Sequence, residues 1–507
     1  MGENLLSQLE YLRIGLVNTF DPLNFLMILA GLTIGILAGA LPGITMLNAI
    51  VLVLPFTYLM DIVPSLLLMI GVYCGGVFGG SITGILFNIP GDPMNVPTTW
   101  EGYKLNKKGF VSKALGMAIM CSAIGGFFSA LIMTVASPPF AKVALSFSSC
   151  EYLAVIFLGL ASVVVIGTRS TGSALISLSV GIFLGTLGID DIYGVPRFTF
   201  GLHILEPGIN FTIVLIGLFA IGEVLDQLSL KDKEVAEKLR ARPKTQLPRF
   251  REIWALRNTI LRGLGIGTII GVIPGAGATV ASFVSYGVEK QVSKNPEKFG
   301  TGVWEGLAAS ETAINGSTGG AMIPLLTLGI PGSGATAVMM GAFLLHGIQP
   351  GPLLFTKSPQ SVYTIFVGML ICNLIMILAG LLTARFFAEL MRVPENILGA
   401  FIITFCLIGG FALRNNMVDV WFMALFGILG YFMRRYALPI PPLILGIILG
   451  PFAESYFLTT MIGAENDISI FFRRPVSACL IIISIGLLFM PALRKIWKRG
   501  KALPETK

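Results

Sequence analysis

Long apolar runs separated by short polar windows fill most of this chain, and two of them carry the same glycine pattern. Gly31, Gly35, Gly39 and Gly43 fall every fourth residue, with Pro42 just before the last; Gly263, Gly267, Gly271 and Gly275 repeat the ladder, with Pro274 just before the last. Aligned over 13 residues, 31–43 and 263–275 share seven identities. Residues four apart lie on one helix face, where small ones let backbones approach closely in lipid. Proline then removes a backbone donor and clashes with the preceding turn, so each ladder helix is expected to break there. A break at membrane depth is tolerated only where it is packed in protein or lines a polar cavity.

Taken in order, residues 3–20 predict a short interfacial helix closed by Asp21 and Pro22. The first ladder span covers 24–41, breaks at Pro42 and Gly43, and resumes as ITMLNAIVLVLPF. A second apolar stretch begins near Val63, becomes glycine-dense over 71–93, and ends in Asn88, Ile89, Pro90, Gly91, Asp92 and Pro93. Plainer spans follow near 114–136, 150–167, 173–188 and 209–227, the second of them preceded by Ser137, Pro138 and Pro139. After the second ladder comes another glycine-dense stretch, 311–336, in which Ile330, Pro331 and Gly332 match Ile89, Pro90 and Gly91. Gly319 and Gly320 match Gly79 and Gly80 with one inserted residue. Spans near 361–384, 396–413, 417–433, 440–457 and 476–493 complete the chain, one more than the first half supplies.

The fold class expected is an all-α polytopic membrane protein of about 12 spans, at about 20 residues each. It divides into an N-terminal segment 1–22, a first repeat 23–227, a linker 228–258, a second repeat 259–495 and a tail 496–507.

Composition agrees: 54% of residues are hydrophobic and 12% charged, against about 25% charged in soluble proteins. The net charge of +8 is concentrated, with ten Lys/Arg against four Asp/Glu in 228–262 and six against one in 492–507. Basic clusters beside apolar spans mark cytoplasmic loops, so nucleic acid is not expected as a partner. Lys104, Lys107, Lys108 and Lys113 follow the first glycine-dense stretch, whereas the corresponding window 346–360 holds only Lys357. The bias puts the two windows on opposite sides of the bilayer and makes the halves inverted repeats, the arrangement of many secondary transporters. Six cysteines without a CxxC pair, and only His203 and His346, argue against disulfides, a His-rich metal centre or a hydrolytic triad. No GxxxxGK[ST] loop provides for ATP hydrolysis. The chain is therefore expected to be neither an enzyme nor the holder of an organic cofactor.

The chemistry is expected at the breaks. Half-helix N-termini offer free N–H groups and partial positive charge, which suit a carboxylate. Pro42, Gly43, Thr45 and Asn48, then Pro274, Gly275, Gly277 and Thr279, then Pro331, Gly332 and Ser333 (with Thr336 behind) are the candidate substrate-binding residues. Asn88, Asp92, Glu311, Asn315, Ser317 and Thr318 are the candidate ion-coupling residues, for H+ or Na+, with Na+ the one metal considered. Each hydroxyl has an alternative use in bonding its own helix backbone, and Asp92 and Glu311 have the alternative of sitting at the water interface. Glu305, Asp190, Asp191 and Glu454 have the character of loop or interface residues.

The stretches GILAGALPGIT, FGGSITGILFNIPGDP, IGTIIGVIPGAGATVASFVSYGVEK and WEGLAASETAINGSTGGAMIPLLTLGIPGSGATAVMMGAF resemble the large membrane subunit of the tripartite tricarboxylate transporters, the TctA family. The resemblance spans nearly the whole chain. It implies a bacterial inner-membrane carrier, driven by an ion gradient, that works with a small membrane subunit and a periplasmic binding protein delivering a carboxylate. A self-sufficient ion-coupled carrier or channel for organic anions shares the same repeat physics. A membrane-embedded enzyme is a third class, for which the two distant histidines offer little.

Overall fold

The computed structural model of the protein describes residues 2–41, 44–166, 170–190, 192–229, 245–390 and 395–501. Pro42, Gly43, Asp191, most of the expected linker (230–244) and the end of the tail (502–507) lie outside the described residues.

Helices α1 (Gly2–Thr19), α2 (Pro22–Ala40), α3 (Met46–Thr57) and α4 (Ile62–Phe87) open the chain, and Asp21 caps α2 by accepting from Leu23 N–H. A 3-10 turn, Pro93–Asn95, leads into α5 (Val96–Lys107), α6 (Val111–Ala144), α7 (Ser149–Ile166) and α8 (Thr171–Gly185). After a two-stranded hairpin, β1 (Gly188–Ile189) with β2 (Pro196–Arg197), α9 (Phe211–Leu215) runs through a π segment, Ile216–Ile221, into α10 (Gly222–Ser229). Then come α11 (Phe250–Ala255), α12 (Arg257–Val272), α13 (Gly277–Val292), α14 (Trp304–Leu328), α15 (Gly334–Leu345) and α16 (Leu354–Lys357). The chain closes with α17 (Pro359–Leu390), α18 (Glu395–Arg414), α19 (Met417–Arg435), α20 (Ile440–Gly463), α21 (Ile470–Arg473) and α22 (Pro475–Lys501).

Among the described residues, six helices are long and apolar enough to cross a membrane: α2, α4, α6, α19, α20 and, over Pro359–Thr383, α17. Shorter apolar helices, α3 and α15 among them, accompany these. The protein is an all-α, multi-pass membrane protein.

Two departures from the expected spans have physical causes. Pro138 and Pro139 lie inside α6 and do not start a new helix, because neighbouring helices in a membrane can satisfy the carbonyls that proline frees. The lysine-bearing window 104–113, expected as a loop, instead begins inside α5 (Val96–Lys107), whose residues Pro97, Thr98, Thr99, Glu101, Gly102 and Leu105 are buried.

The chain forms two compact units, Met1–Leu145 with Thr212–Tyr431, and Ser146–Phe211 with Phe432–Lys507. In the first, the glycine ladders set the packing. A Cβ on Gly31, Gly35 or Gly39 would lie 2.2, 2.4 or 2.3 Å from the carbonyl oxygens of Leu68, Val72 and Gly76 on α4. A Cβ on Gly263, Gly267 or Gly271 would lie 3.1, 2.4 or 2.5 Å from those of Ala309, Ala313 and Ser317 on α14. Only glycine permits helices to touch backbone to backbone in this way. At the foot of each ladder, Gly91 abuts the Gly39 carbonyl and Gly332 abuts that of Gly271. Gly79 meets the Ile36 carbonyl as Gly320 meets that of Thr268, so Gly79 corresponds in its contacts to Gly320, with no inserted residue. Asn88 (φ 61°) and Gly329 (φ 71°) end α4 and α14 in the same left-handed conformation, a common helix stop.

In the second unit, a Cβ on Gly181 of α8 would lie 2.0 Å from the Leu443 carbonyl of α20. Arg197 on β2 pairs with Asp190 at 3.6 Å and with Glu454, and Arg474 pairs with Glu151 at 2.9 Å. Cys150, Met461 and Phe471 form a small core there.

Candidate functional site

The breaks meet at one place in the first unit. Thr45 caps α3 by accepting from Asn48 N–H at 3.2 Å. Ser333 caps α15, accepting from Thr336 N–H at 3.3 Å while Thr336 Oγ1 accepts from Ser333 N–H at 2.8 Å. Between α12 and α13 the chain turns through Gly275 (φ 80°) and Gly277 (φ 58°), left-handed positions that glycine takes without steric cost. Gly275 N–H donates to the Gly332 carbonyl at 3.1 Å, which ties that break to the one before α15. A Cβ on Gly277 would lie 3.9 Å from Ser333 Cβ, and one on Gly334 would lie 3.4 Å from the Leu47 side chain. The N-terminal ends of α3, α13 and α15 are thereby brought together. Thr45, Pro274, Gly275, Gly277, Thr279 and Ser333 are half-buried, whereas Asn48, Pro331 and Gly332 are buried.

Asp92 belongs to this group. Its Oδ2 accepts from Met46 N–H at 3.3 Å, so a carboxylate of the protein itself sits on the first N–H of α3. Among the described residues no carboxylate sits in this way on the starts of α13 and α15.

Glu311, on α14, is fully buried. Its Oε1 accepts from Ser81 Oγ of α4 at 2.6 Å and from Thr98 Oγ1 of α5 at 2.5 Å, and its Oε2 accepts from Ser122 Oγ of α6 at 2.8 Å. Asn95 Nδ2 donates to Ser81 Oγ at 2.9 Å, and Thr98 Oγ1 lies 3.1 Å from Ser310 Oγ. The amide oxygens of Asn95 and Asn315 are buried without a partner.

The other buried carboxylates differ from Glu311 in kind. Glu151, Asp190, Glu289 and Asp419 pair with Arg474, Arg197, Arg262 and Arg414 respectively. Glu101 accepts from Tyr286 Oη at 2.7 Å and from the backbone N–H of Gly300, Gly302 and Val303 at 2.5, 2.8 and 2.9 Å. Among the described residues, Glu311 alone of these is held only by side-chain hydroxyls. A buried charge without an ionic partner is expensive, and such groups at membrane depth mark ion pathways. Hydroxyls suit this role because they donate to a carboxylate, accept from a carboxylic acid, or turn a lone pair toward a cation.

The remaining candidates separate cleanly. Ser317 and Thr318 donate to carbonyls of their own helix, Ile314 and Asn315, at 2.7 Å each. Asn315 Nδ2 donates to the Glu311 carbonyl at 3.3 Å. Asn88 is exposed and serves as the left-handed end of α4. Ser81, Asn95, Thr98 and Ser122 were not singled out in the sequence. A serine in an apolar glycine-rich run carries no mark that tells a donor across helices from one bonded to its own backbone.

A multi-pass membrane protein with broken helices converging beside a sealed carboxylate has the build of a carrier. The chain belongs to the tripartite tricarboxylate transporter TctA family, whose model matches residues 25–445. It is thus a subunit of the transporter type, in a family of three-part systems. It is 35% identical over 505 residues to an uncharacterized 52.8 kDa protein in the TAR-I ttuC' 3' region of Agrobacterium vitis, covering 99% of this chain and 100% of that one. It is 38% identical over 242 residues to an uncharacterized protein in the TAR-II ttuC' 3' region of the same organism, covering 47% of this chain and 99% of that one. No solved structure matches it significantly.

Proposed function

We propose that this chain is the large membrane subunit of a bacterial inner-membrane carrier that uses a Na+ or H+ gradient to take up a carboxylate. A periplasmic binding protein delivers the substrate, and a small membrane subunit completes the assembly, as in the systems that give the family its name. The halves carrying the ladders are inverted repeats, and the substrate lies where their breaks converge. The half-buried N-terminal ends of α13 and α15, with Gly277, Thr279 and Ser333, receive the carboxylate. Asp92 already occupies the start of α3 and limits what that end can accept.

The observation that carries the ion-coupled reading is Glu311, sealed and met only by the hydroxyls of Ser81, Thr98 and Ser122. A carboxyl so placed exchanges a proton or a Na+ as its hydroxyl shell turns. The test is uptake of labelled di- and tricarboxylates into proteoliposomes, with Na+ and pH gradients imposed separately and with or without the binding protein. Uptake is expected to follow one gradient and to lose that dependence in Glu311→Gln. Uptake that ignores both gradients in the unmodified protein would refute ion coupling; full uptake without the other two components would favour a self-sufficient carrier.

A further inference from the structure

We propose that α5 couples the Glu311 carboxyl to the break at Asp92, with Thr98 and Asn95 as the positioning residues. The proposal rests on the reading of Glu311 as the ion-binding group, and it concerns how the state of that group reaches the substrate end.

Thr98 and Glu101 are three residues apart on one face of α5, and Asn95, three residues before Thr98, is the last residue of the 3-10 turn that leads into that helix. Each engages a different structure. Glu101 takes four donors, three of them backbone N–H groups of the chain entering α14, so this end of α5 is pinned. Thr98, one turn earlier, donates to Glu311 Oε1 and touches Ser310. Asn95, one turn earlier again, reaches Ser81 Oγ and the Val77 carbonyl, the latter at 3.3 Å. Three residues before it, Asp92 holds the first N–H of α3.

A charged Glu311 accepts the Thr98 proton. Once a proton sits on Oε1, or a cation meets that oxygen, that same hydroxyl presents a lone pair instead, and its hold on Oε1 changes. Because the Glu101 end is fixed, the adjustment is taken up at the Asn95 end. There the Asn95 amide oxygen is buried with no partner, so a different arrangement of the break can gain a bond that this one lacks. The displacement passes to Asp92 and from there to the start of α3. Ion and substrate are then linked, and by reciprocity each alters the affinity for the other by the same factor.

Trp100 reports on this helix directly. It lies on α5 between Thr98 and Glu101, with its ring 5.0 Å from Tyr286 and 5.6 Å from Phe283. In a protein whose other tryptophans (Trp254, Trp304, Trp421 and Trp497) are replaced by Phe, Trp100 emission is followed during titration with NaCl against KCl and with pH. Emission is expected to change with the coupling ion, and the change is expected to be absent in Thr98→Val and kept in Thr98→Ser. In uptake assays the ion is expected to shift apparent substrate affinity by at least about fivefold in the unmodified protein, the low end of ordinary coupling, and by less than about twofold in Thr98→Val. Asn95→Ala leaves all three donors to Glu311 in place, so it tests the outer link even if Thr98→Val does not fold. It should keep the Trp100 response and lose the affinity shift. If uptake depends on the ion and Glu311→Gln removes that dependence, while Trp100 stays silent or both Thr98→Val and Asn95→Ala keep the full shift, the role of α5 is overturned. If uptake ignores the ion altogether, the reading of Glu311 fails first.

Discussion

Gly267→Ala and Gly265→Ala are the same substitution, two residues apart on one helix, with opposite expected results. A Cβ at 267 would lie 2.4 Å from the Ala313 carbonyl oxygen and 2.9 Å from Ala313 Cα, whereas nothing lies within 4 Å of one at 265. Ordinary contact begins at 3.4 Å, so the shortfall at 267 is about 1 Å, and it is against backbone, which cannot swing aside. The two helices have to separate, which spoils the neighbouring contacts at Gly263 and Gly271 as well. Overpacking of this kind costs about 1–3 kcal/mol. At 265 no clash offsets the gain from replacing glycine in a helix, about 0.8–1.0 kcal/mol. That gain applies at both positions and cancels, so the pair should differ by about 1–3 kcal/mol in stability, with Gly265→Ala the more stable of the two and at or above the unmodified protein. Thermal unfolding of the purified protein in one detergent, followed by loss of the monodisperse peak, is the direct assay. Gly35→Ala, with its Cβ 2.4 Å from the Val72 carbonyl, should match Gly267→Ala. Equal midpoints for Gly265→Ala and Gly267→Ala would show that the ladders do not set the packing.

Cysteines placed at Lys107 and at Gln349 should label from opposite faces of the membrane, and labelling from the same face would remove the inverted relation of the halves. Thr279→Ala should raise the substrate concentration needed for half-maximal uptake by up to about tenfold, since one neutral hydrogen bond is worth about 0.5–1.5 kcal/mol, and leave stability unchanged. Thr45→Ala should instead cost about 1 kcal/mol of stability, because Thr45 caps α3; an unchanged half-maximal concentration in Thr279→Ala would mean that Thr279 does not face substrate. Outside the spans, hydrogen bonds from the Lys113 ammonium and then from Arg249 N–H hold Glu252 below its ordinary value of 4.5. The Glu252–Lys113 tether is therefore intact at neutral pH and is lost as pH falls below 4.5 through that lowered value. Lys113 lies 5.2 Å over the Trp304 ring, so Trp304 emission should report the loss, and Glu252→Gln should remove the transition.

What the sequence could disclose follows from how many structures each pattern permits. Glycine every fourth residue in an apolar run has one efficient use, and both ladders make it, with α4 and α14 as their partners. Glu311 was legible because a carboxylate in the middle of an apolar helix needs a reason. Its shell was not. Ser81 and Ser122 donate across helices to Glu311, while Ser317 and Thr318 on the same helix as Glu311 donate to their own backbone, and nothing local distinguishes the two uses. Helix α5 was hidden for a related reason. The lysines at its end read as loop, and only its tertiary partners, Glu311 at Thr98 and the 300–303 backbone at Glu101, make it a buried helix.

The hidden part of the site has a consequence for how the halves work together. Glu311 comes from the half that carries the second ladder, but all three of its donors, Ser81, Thr98 and Ser122, come from the half that carries the first. Glu101 reverses the direction: a carboxylate of the first half takes its donors from the second. Unlike Glu289 and Asp419, which pair with arginines of their own half, neither of these two carboxylates takes its donors from its own half. An unpaired carboxylate sealed from water is costly, so any movement that separates the halves has to find new partners for both groups or let water reach them. A proton or cation at Glu311 lowers that cost at one of the two places. If Glu311 is the ion-binding group, as proposed above, the ion has a physical way to decide when the halves can move.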